Sequence, residues 1–252
     1  MGTTTKALKL LDEFSIDRPE IGLTDLHRRV GRDKATVHRH LSELESLGYV
    51  EQNPATRAYR LGPAVLRLAT IRETCFPLRT AVAPIIDAAA ADLGELVHFS
   101  LLQDDALAPI HHADPHVHGT AVYFDAGGLL PLHGTASGIA VLAFGPAALR
   151  DRVLNGPLDA YTETTPTDAE TLRERIEAAR DRGYSISERF FDPDVVSVAL
   201  PVYGLLDDAC GAIAVAAPAA RADEARAVAR LRDLAPLVSK ALGGRAPEAQ
   251  DA

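Results

Sequence analysis

The feature that most constrains this chain lies between Leu23 and Gly48: a short apolar-periodic stretch, a glycine, and a longer apolar-periodic stretch. Leu23, Leu26 and Val30 supply the apolar positions of a short helix, with Thr24 as its N-cap, and Gly31 permits a tight turn. Asp33 caps a second helix running to Leu47, in which Val37, Leu41 and Leu44 recur at i, i+4 and i+7; Gly48 closes it. A short helix, a glycine turn and a longer helix make the helix-turn-helix pattern. Upstream, Lys6 to Phe14 reads as a supporting helix with Ala7, Leu10, Leu11 and Phe14 on one face, followed by the breakers Pro19 and Gly22.

The longer helix is expected to expose Lys34, Thr36, Arg39 and His40, away from the apolar stripe and weighted to its N-terminal half. That half of a recognition helix enters the major groove, where Arg pairs bidentately with guanine and Thr meets phosphate or a thymine methyl. Arg32 precedes it, while Glu43 and Glu45 fall later. Two strand-like runs, Tyr49 to Gln52 and Arg57 to Leu61, flank the turn-rich Asn53-Pro54-Ala55-Thr56 and read as a hairpin. A hairpin directly after a recognition helix is a wing, and places Arg57 and Arg60 for phosphate or the minor groove. Charge agrees: residues 1–68 carry a net +2 and the rest −11, so a basic module sits on an acidic chain. A short basic run is equally what a solvated helix face looks like, so the charge gains weight only from the helices around it.

Pro63 opens a helix from Ala64 to Phe76, stopped by Pro77, which reads as a linker with an apolar stripe suited to a partner. Beyond it the pattern changes. An Ala-rich helix from Leu78 to Leu93 precedes strands at Leu96 to Leu102, Ala106 to His111 and Ala121 to Phe124. A small buried helix, Ser137 to Phe144, and a helix opened by the capping box Thr167-Asp168-Ala169-Glu170 and ended before Gly183 come next. Strands at Tyr184 to Phe190, Val195 to Val202 and Gly211 to Ala217 and a long helix from Asp223 to Leu242 complete one α+β domain. The expected division is 1–62 for the winged helix-turn-helix, 63–77 for the linker helix, 78–245 for the larger domain and 246–252 for a disordered tail. Two cysteines without CxxC spacing, no signal-peptide core and no apolar run near 18 residues place the chain in a reducing cytoplasm, away from membranes.

Both halves together resemble the IclR family of bacterial transcription regulators. The resemblance rests on Lys34-Ala35-Thr36-Val37-His38-Arg39-His40-Leu41, Leu47-Gly48-Tyr49-Val50 and Tyr59-Arg60-Leu61-Gly62 in the first half. In the second it rests on Pro131-Leu132-His133-Gly134-Thr135-Ala136-Ser137-Gly138, Arg182-Gly183-Tyr184, Glu188 and Ala199-Leu200-Pro201-Val202. It implies a GAF-like effector domain on a curved antiparallel sheet, homodimers or dimers of dimers on pseudo-palindromic operator DNA, and small organic acids or aromatic carboxylates as effectors. Repression is the expected mode, and no cofactor is expected. Three positions depart from the pattern: Ala35 replaces a common Ser, Ile139 a usual Lys, and Asp194 a usual Gly.

The effector is expected beside Thr135, Ala136 and Ser137, because free N–H groups and the dipole at a helix start favour an anion or carbonyl. The resemblance adds Glu188 and Ser197 from the later strands and His133 from the same motif; Phe99 and Phe124 are expected to hold the apolar body. His98 sits at a position that alternation alone cannot aim. Six of the nine histidines fall between His98 and His133, which keeps open a zinc-responsive alternative using the segment from His111 to His118. A hydrolytic triad can be drawn from Ser137, His133 and Glu188, although no Gly-x-Ser-x-Gly elbow accompanies it.

Overall fold

The structure is a computed structural model that describes residues 2–15, 18–75, 77–204 and 208–244. It divides into two compact units, Met1–Pro77 and Leu78–Ala252.

In the first unit, α1 (Thr3–Leu8) is followed by a 3-10 turn (Leu11–Glu13), α2 (Leu23–Arg29), α3 (Lys34–Ser46), strands β1 (Val50–Gln52) and β2 (Tyr59–Leu61), and α4 (Pro63–Cys75). The single helix expected over 6–14 is broken: the N–H of Leu10 bonds to Ala7 and that of Phe14 to Leu11, tightening the path by i→i+3 bonds. Leu10 and Phe14 still both reach the core. Gly22, not Thr24, precedes α2, and Thr24 lies inside its first turn. Asp33 caps α3 as expected, its Oδ1 accepting the Thr36 N–H at 2.8 Å, and that bond holds the carboxyl below its usual pKa. Gly31 (φ +60°) and Gly48 (φ +76°) supply the left-handed turns at either side. Val37, Leu41 and Leu44 are buried with Leu26, Val50 and Tyr59. The wing is antiparallel with Gln52 opposite Tyr59, and Ile21 adds a bridge to Tyr59 through two 2.9 Å backbone bonds.

The second unit carries α5 (Leu78–Leu93), β3 (Leu96–Gln103), β4 (Ala106–Ala113), β5 (Leu130–Pro131), α6 (Ala136–Phe144), α7 (Ala147–Leu154) and α8 (Ala169–Arg182). Strands β6 (Ser185–Glu188), β7 (Val195–Tyr203) and β8 (Ala209–Pro218) and helix α9 (Glu224–Ala241) follow. The six strands form one antiparallel sheet in the order β5-β4-β3-β8-β7-β6. One face carries the large residues Val97, Phe99, Val198, Leu200, Ile213 and Val215 and packs on α5 and α9. The other carries small ones, Ala199, Ala212 and Ala214, which let the apolar helix α6 lie close to the sheet.

Several boundaries differ from expectation. Ala121 to Phe124 is not a strand: it has no ladder partner and runs as irregular chain between β4 and β5. The α8 cap is Asp168, whose Oδ1 accepts from both Glu170 N and Thr171 N, displacing the Thr167 box. β6 stops at Glu188 because Arg189 turns left-handed at φ +68°. Helix α7 has no counterpart among the elements expected from sequence. The linker helix ends at Cys75; Phe76 and the tail 246–252 lie outside the described residues.

Candidate functional site

The first unit offers a basic helix face. Lys34 and Arg39 of α3 are exposed, Thr36 is half-buried beside its cap, and neither cation is in an ion pair among the described residues. Ala35, His38 and Ser42 are exposed on this outward face; His38 and Ser42 were missed from sequence, and their i+3 and i+7 spacing from Ala35 was the available signal. His40 is corrected. It is 1% exposed, on the core stripe between Val37 and Leu44, and both ring nitrogens lack a hydrogen-bond partner. Its polarity suggested solvent, but the helix turns it inward with Leu41. Arg32 is half-exposed in the turn before α3.

At the wing tip Asn53 Oδ1 accepts from Ala55 N and Thr56 N, and Arg57 follows with φ +62°. Its N–H donates to Asn53 O and its carbonyl accepts from Gln52 Nε2, both at 2.8 Å, so the backbone is fixed while the guanidinium is exposed. Arg60 is different: its Nε is 2.6 Å from Glu51 and its Nη1 3.5 Å from Glu20. A phosphate would have to compete with two carboxylates for it.

The second unit encloses a cavity of about 370 Å³ between the sheet and the start of α6. Thr135 locks that start: its Oγ1 donates to Pro131 O at 2.9 Å and accepts the Gly138 N–H at 3.0 Å. Ser185 Oγ donates to Ala136 O at 2.5 Å and ties the first turn to β6. Thr135, Ala136, Ser137, Ser197 and Phe124 all line the cavity. Phe99 does not. It packs against α5 and α9 on the opposite face of the sheet, because His98, its neighbour, points inward instead. Glu188 is corrected for the same reason: it is exposed, and Ser187, paired with Ser197, takes the inward position. His133 lines an adjoining cleft, its Nε2 2.9 Å from Asp159 O, so Ser137, His133 and Glu188 assemble no triad. Ile139 is buried in α6 and Asp194 is exposed; neither lines the cavity.

The irregular segment from Val122 to Leu129 forms another part of the lining together with Phe191 and Asp192; of these only Phe124 was read from sequence. Arg221 holds this wall at its base, donating to both Glu95 carboxylate oxygens at 2.5 and 3.0 Å and to Thr120 Oγ1 and O at 2.7 and 2.9 Å. The hydroxyls of Thr162, Thr164 and Thr165 hold the carbonyls of Arg189 and Phe190, which fixes the turn leading to Phe191.

The remaining histidines disperse. His111 meets Asp87, His116 meets Asp114 and His118 meets Glu95. No group of three or more His, Cys, Asp or Glu side chains arranged for a metal occurs among the described residues, so the zinc alternative finds no ligand set there. His98 and His112 flank the Phe124 ring at 4.8 and 4.9 Å. Burial pushes His98 down from the usual 6.5 to about 3, with the His112 ring adding to the effect. The folded state therefore stays neutral where the unfolded chain protonates, so this contribution to stability is complete above about pH 6.5 and is lost as pH falls toward 3. Thermal denaturation between pH 6.5 and 4 should show a steeper loss of stability for the wild type than for His98→Gln. Equal slopes would remove His98 as the cause.

A family model for the IclR helix-turn-helix domain matches residues 3–54, and one for the C-terminal domain of bacterial IclR transcriptional regulators matches residues 74–240. The chain belongs to the IclR family. Relatives of this IclR chain include the glycerol operon regulatory protein of Streptomyces griseus, 32% identical over 228 residues, covering 88% of this chain and 89% of the relative. A solved IclR regulator from Silicibacter sp. is 41% identical with a TM-score of 0.87, covering 98% of both chains. An IclR homologue from Microbacterium hydrocarbonoxydans, solved with 4-hydroxybenzoate, shares the fold at 24% identity and a TM-score of 0.76, covering 96% and 99%. This is therefore a DNA-binding transcription regulator with an effector-binding C-terminal domain, in a family of regulators rather than enzymes. No helix among the described residues is long and apolar enough to cross a membrane.

Proposed function

We propose that residues 1–62 bind operator DNA through α3 and the wing, that 63–77 link, and that 78–245 sense a small organic effector in the cavity beside α6. Lys34, Thr36 and Arg39 face the groove, with Arg32 and Arg57 on phosphates and Arg60 joining once Glu51 and Glu20 release it. The observation that carries the sensing role is the cavity itself. Its volume suits a small molecule, and its apolar walls with a few convergent polar groups are what such sites require. The apolar faces of Phe124 and Phe191 favour a ring compound, and the Microbacterium relative was solved in complex with one, 4-hydroxybenzoate. The protein acts in the cytoplasm as a repressor.

An effector regulates only if it prefers one of two states that differ in DNA affinity. A tenfold change in DNA affinity corresponds to about 1.4 kcal/mol of coupling, and the same factor must appear in effector affinity when DNA is present. Fluorescence anisotropy on operator DNA, with and without effector, should show this reciprocity, and Ser197→Phe, which fills the cavity, should abolish it while effector-free DNA binding survives. Full coupling in Ser197→Phe would place the sensing site elsewhere.

We also propose a homodimer, and a dimer of dimers on longer operators. One winged helix reads only a few base pairs, and two-fold symmetry meets a pseudo-palindromic site. Leu66, Leu68 and Ile71 of α4 are exposed, Leu66 by 72%, and exposed apolar side chains on this helix favour contact with a second copy. Sedimentation at concentrations that saturate operator DNA should give dimer or tetramer; monomer alone would sink the idea.

A further inference from the structure

The cavity carries charge of one sign. Among the described residues no Lys or Arg lines it, whereas Asp125 and Asp192 both do. Each aspartate uses one oxygen to close its own turn, Asp125 Oδ1 accepting from Gly127 N and Asp192 Oδ1 from Asp194 N, both at 2.9 Å. Neither is in an ion pair among the described residues. No hydrogen bond to the second oxygen of either occurs among the described residues. The one imidazole lining the cavity among the described residues, His98, has its Nδ1 3.2 Å from Ser100 Oγ, and burial keeps the ring neutral. It supplies no counter-charge.

The lining also carries hydroxyls. Ser137 and Ser187 are 2% and 3% exposed, line the cavity and have no side-chain hydrogen bond among the described residues. Two hydroxyls left open on the lining suit a polar ligand. The N–H groups of Ala136 and Ser137 at the start of α6 likewise lack backbone partners and suit an acceptor oxygen. The lining also includes the Phe124 and Phe191 rings with Leu96 and Val195. A carboxylate at the start of α6 would share the cavity with two aspartates and, among the described lining residues, no Lys or Arg, and like charges repel. A neutral oxygen there meets the same N–H and hydroxyl groups without that repulsion.

We infer that the cavity selects an uncharged, hydroxylated ring compound, its acceptor oxygen at the start of α6 and its hydroxyl donors on Asp125 and Asp192. This departs from the organic acids that the family resemblance implies, and it rests on the reading of the cavity as the effector site. Asp125 and Asp192 are the specificity residues: each carboxylate accepts a hydrogen bond from a ligand hydroxyl and excludes a second anion.

The test uses full-length protein and ring compounds in matched carboxylate and carboxamide pairs, beginning with 4-hydroxybenzoate and 4-hydroxybenzamide, ranked by thermal shift and measured by calorimetry. The carboxamides should bind at least about tenfold more tightly, which is ~1.4 kcal/mol. In the double variant Asp125→Asn, Asp192→Asn the amides keep both turns, and the preference should shrink mainly because the carboxylate binds better; each single variant should give part of the change. Carboxylate binding equal to or tighter than carboxamide binding in the wild type overturns the inference, as does an unchanged preference in the double variant. Ser197→Phe separates the two readings. If it abolishes binding of a preferred carboxylate, the cavity is the site and only the charge inference falls. If binding persists in Ser197→Phe, or no pair binds the wild type, the cavity reading falls and takes this inference with it.

Discussion

Replacing Gly138 by Ala should unfold the second unit at a temperature roughly 6–12 °C below the wild type and abolish effector binding, the stability cost being about 3 kcal/mol. A Cβ at Gly138 would stand 2.3 Å from the carbonyl oxygen of Leu132, 2.4 Å from its Cα and 2.6 Å from its carbonyl carbon. These are backbone atoms of a buried residue and cannot rotate away. Relief requires α6 to withdraw from the segment before it, which breaks the bonds that Thr135 makes to Pro131 and Gly138. Ala136 and Ser137, which line the cavity, would move with it. Gly183→Ala is the control. Gly183 has φ +78° with nothing within 4 Å of a Cβ, so its cost is conformational alone, about 1–2 kcal/mol, and it should leave the cavity intact. A melting temperature for Gly138→Ala within about 2 °C of the wild type, against the several degrees expected, would show that the close approach is not required.

Arg39→Ala should weaken operator binding by about 1–3 kcal/mol, roughly five- to 150-fold, and relax discrimination at the base it faces. Arg39 is exposed on the outward face of α3, and no ion pair among the described residues restrains it. Arg57→Ala should weaken binding evenly across sequences and lower the salt slope by about one, as removal of a phosphate contact does. His40→Leu should behave oppositely to both. Its ring is buried without a hydrogen-bond partner, so an apolar replacement should leave DNA affinity near wild type while stability holds or rises. Competition binding at several salt concentrations distinguishes the three. Wild-type affinity for Arg39→Ala throughout would remove α3 as the reading helix, and loss of affinity in a well-folded His40→Leu would restore His40 to the interface.

Much of the local structure was legible because its causes are local. The Asp33 cap, the left-handed glycines at 31, 48 and 183, and the stripe of Val37, Leu41 and Leu44 depend on residues within a turn or two of one another. The start of α6 was legible to within one residue for the same reason. His40 was not, because it lies roughly 60° from Val37 around the helix. That is the margin of the stripe, where polarity argued for solvent and the surrounding helices closed over it. The broken first helix also escaped, since an apolar periodicity fits a tightened 3-10 turn almost as well as a continuous α-helix.

The larger separation lies in the sheet. Alternation fixed that His98 and Phe99 face opposite ways, and likewise Ser187 and Glu188, but it offered both answers equally. Tertiary packing chose: α5 and α9 cover the face with the large residues, so Phe99 goes there and His98 turns to the cavity. The cavity's chemistry was further out of reach. Its wall is an irregular segment with no ladder partner, and its charge is the sum of Asp125, Asp192 and a neutral His98 from stretches far apart in the chain. The sequence by itself determined the family, the helix-turn-helix and the α+β class, because short-range periodicity, caps and turn residues specify elements and their order. Only the tertiary structure decided which side chains meet and what net charge they enclose, because facing and electrostatic sums depend on contacts between segments that no local pattern relates.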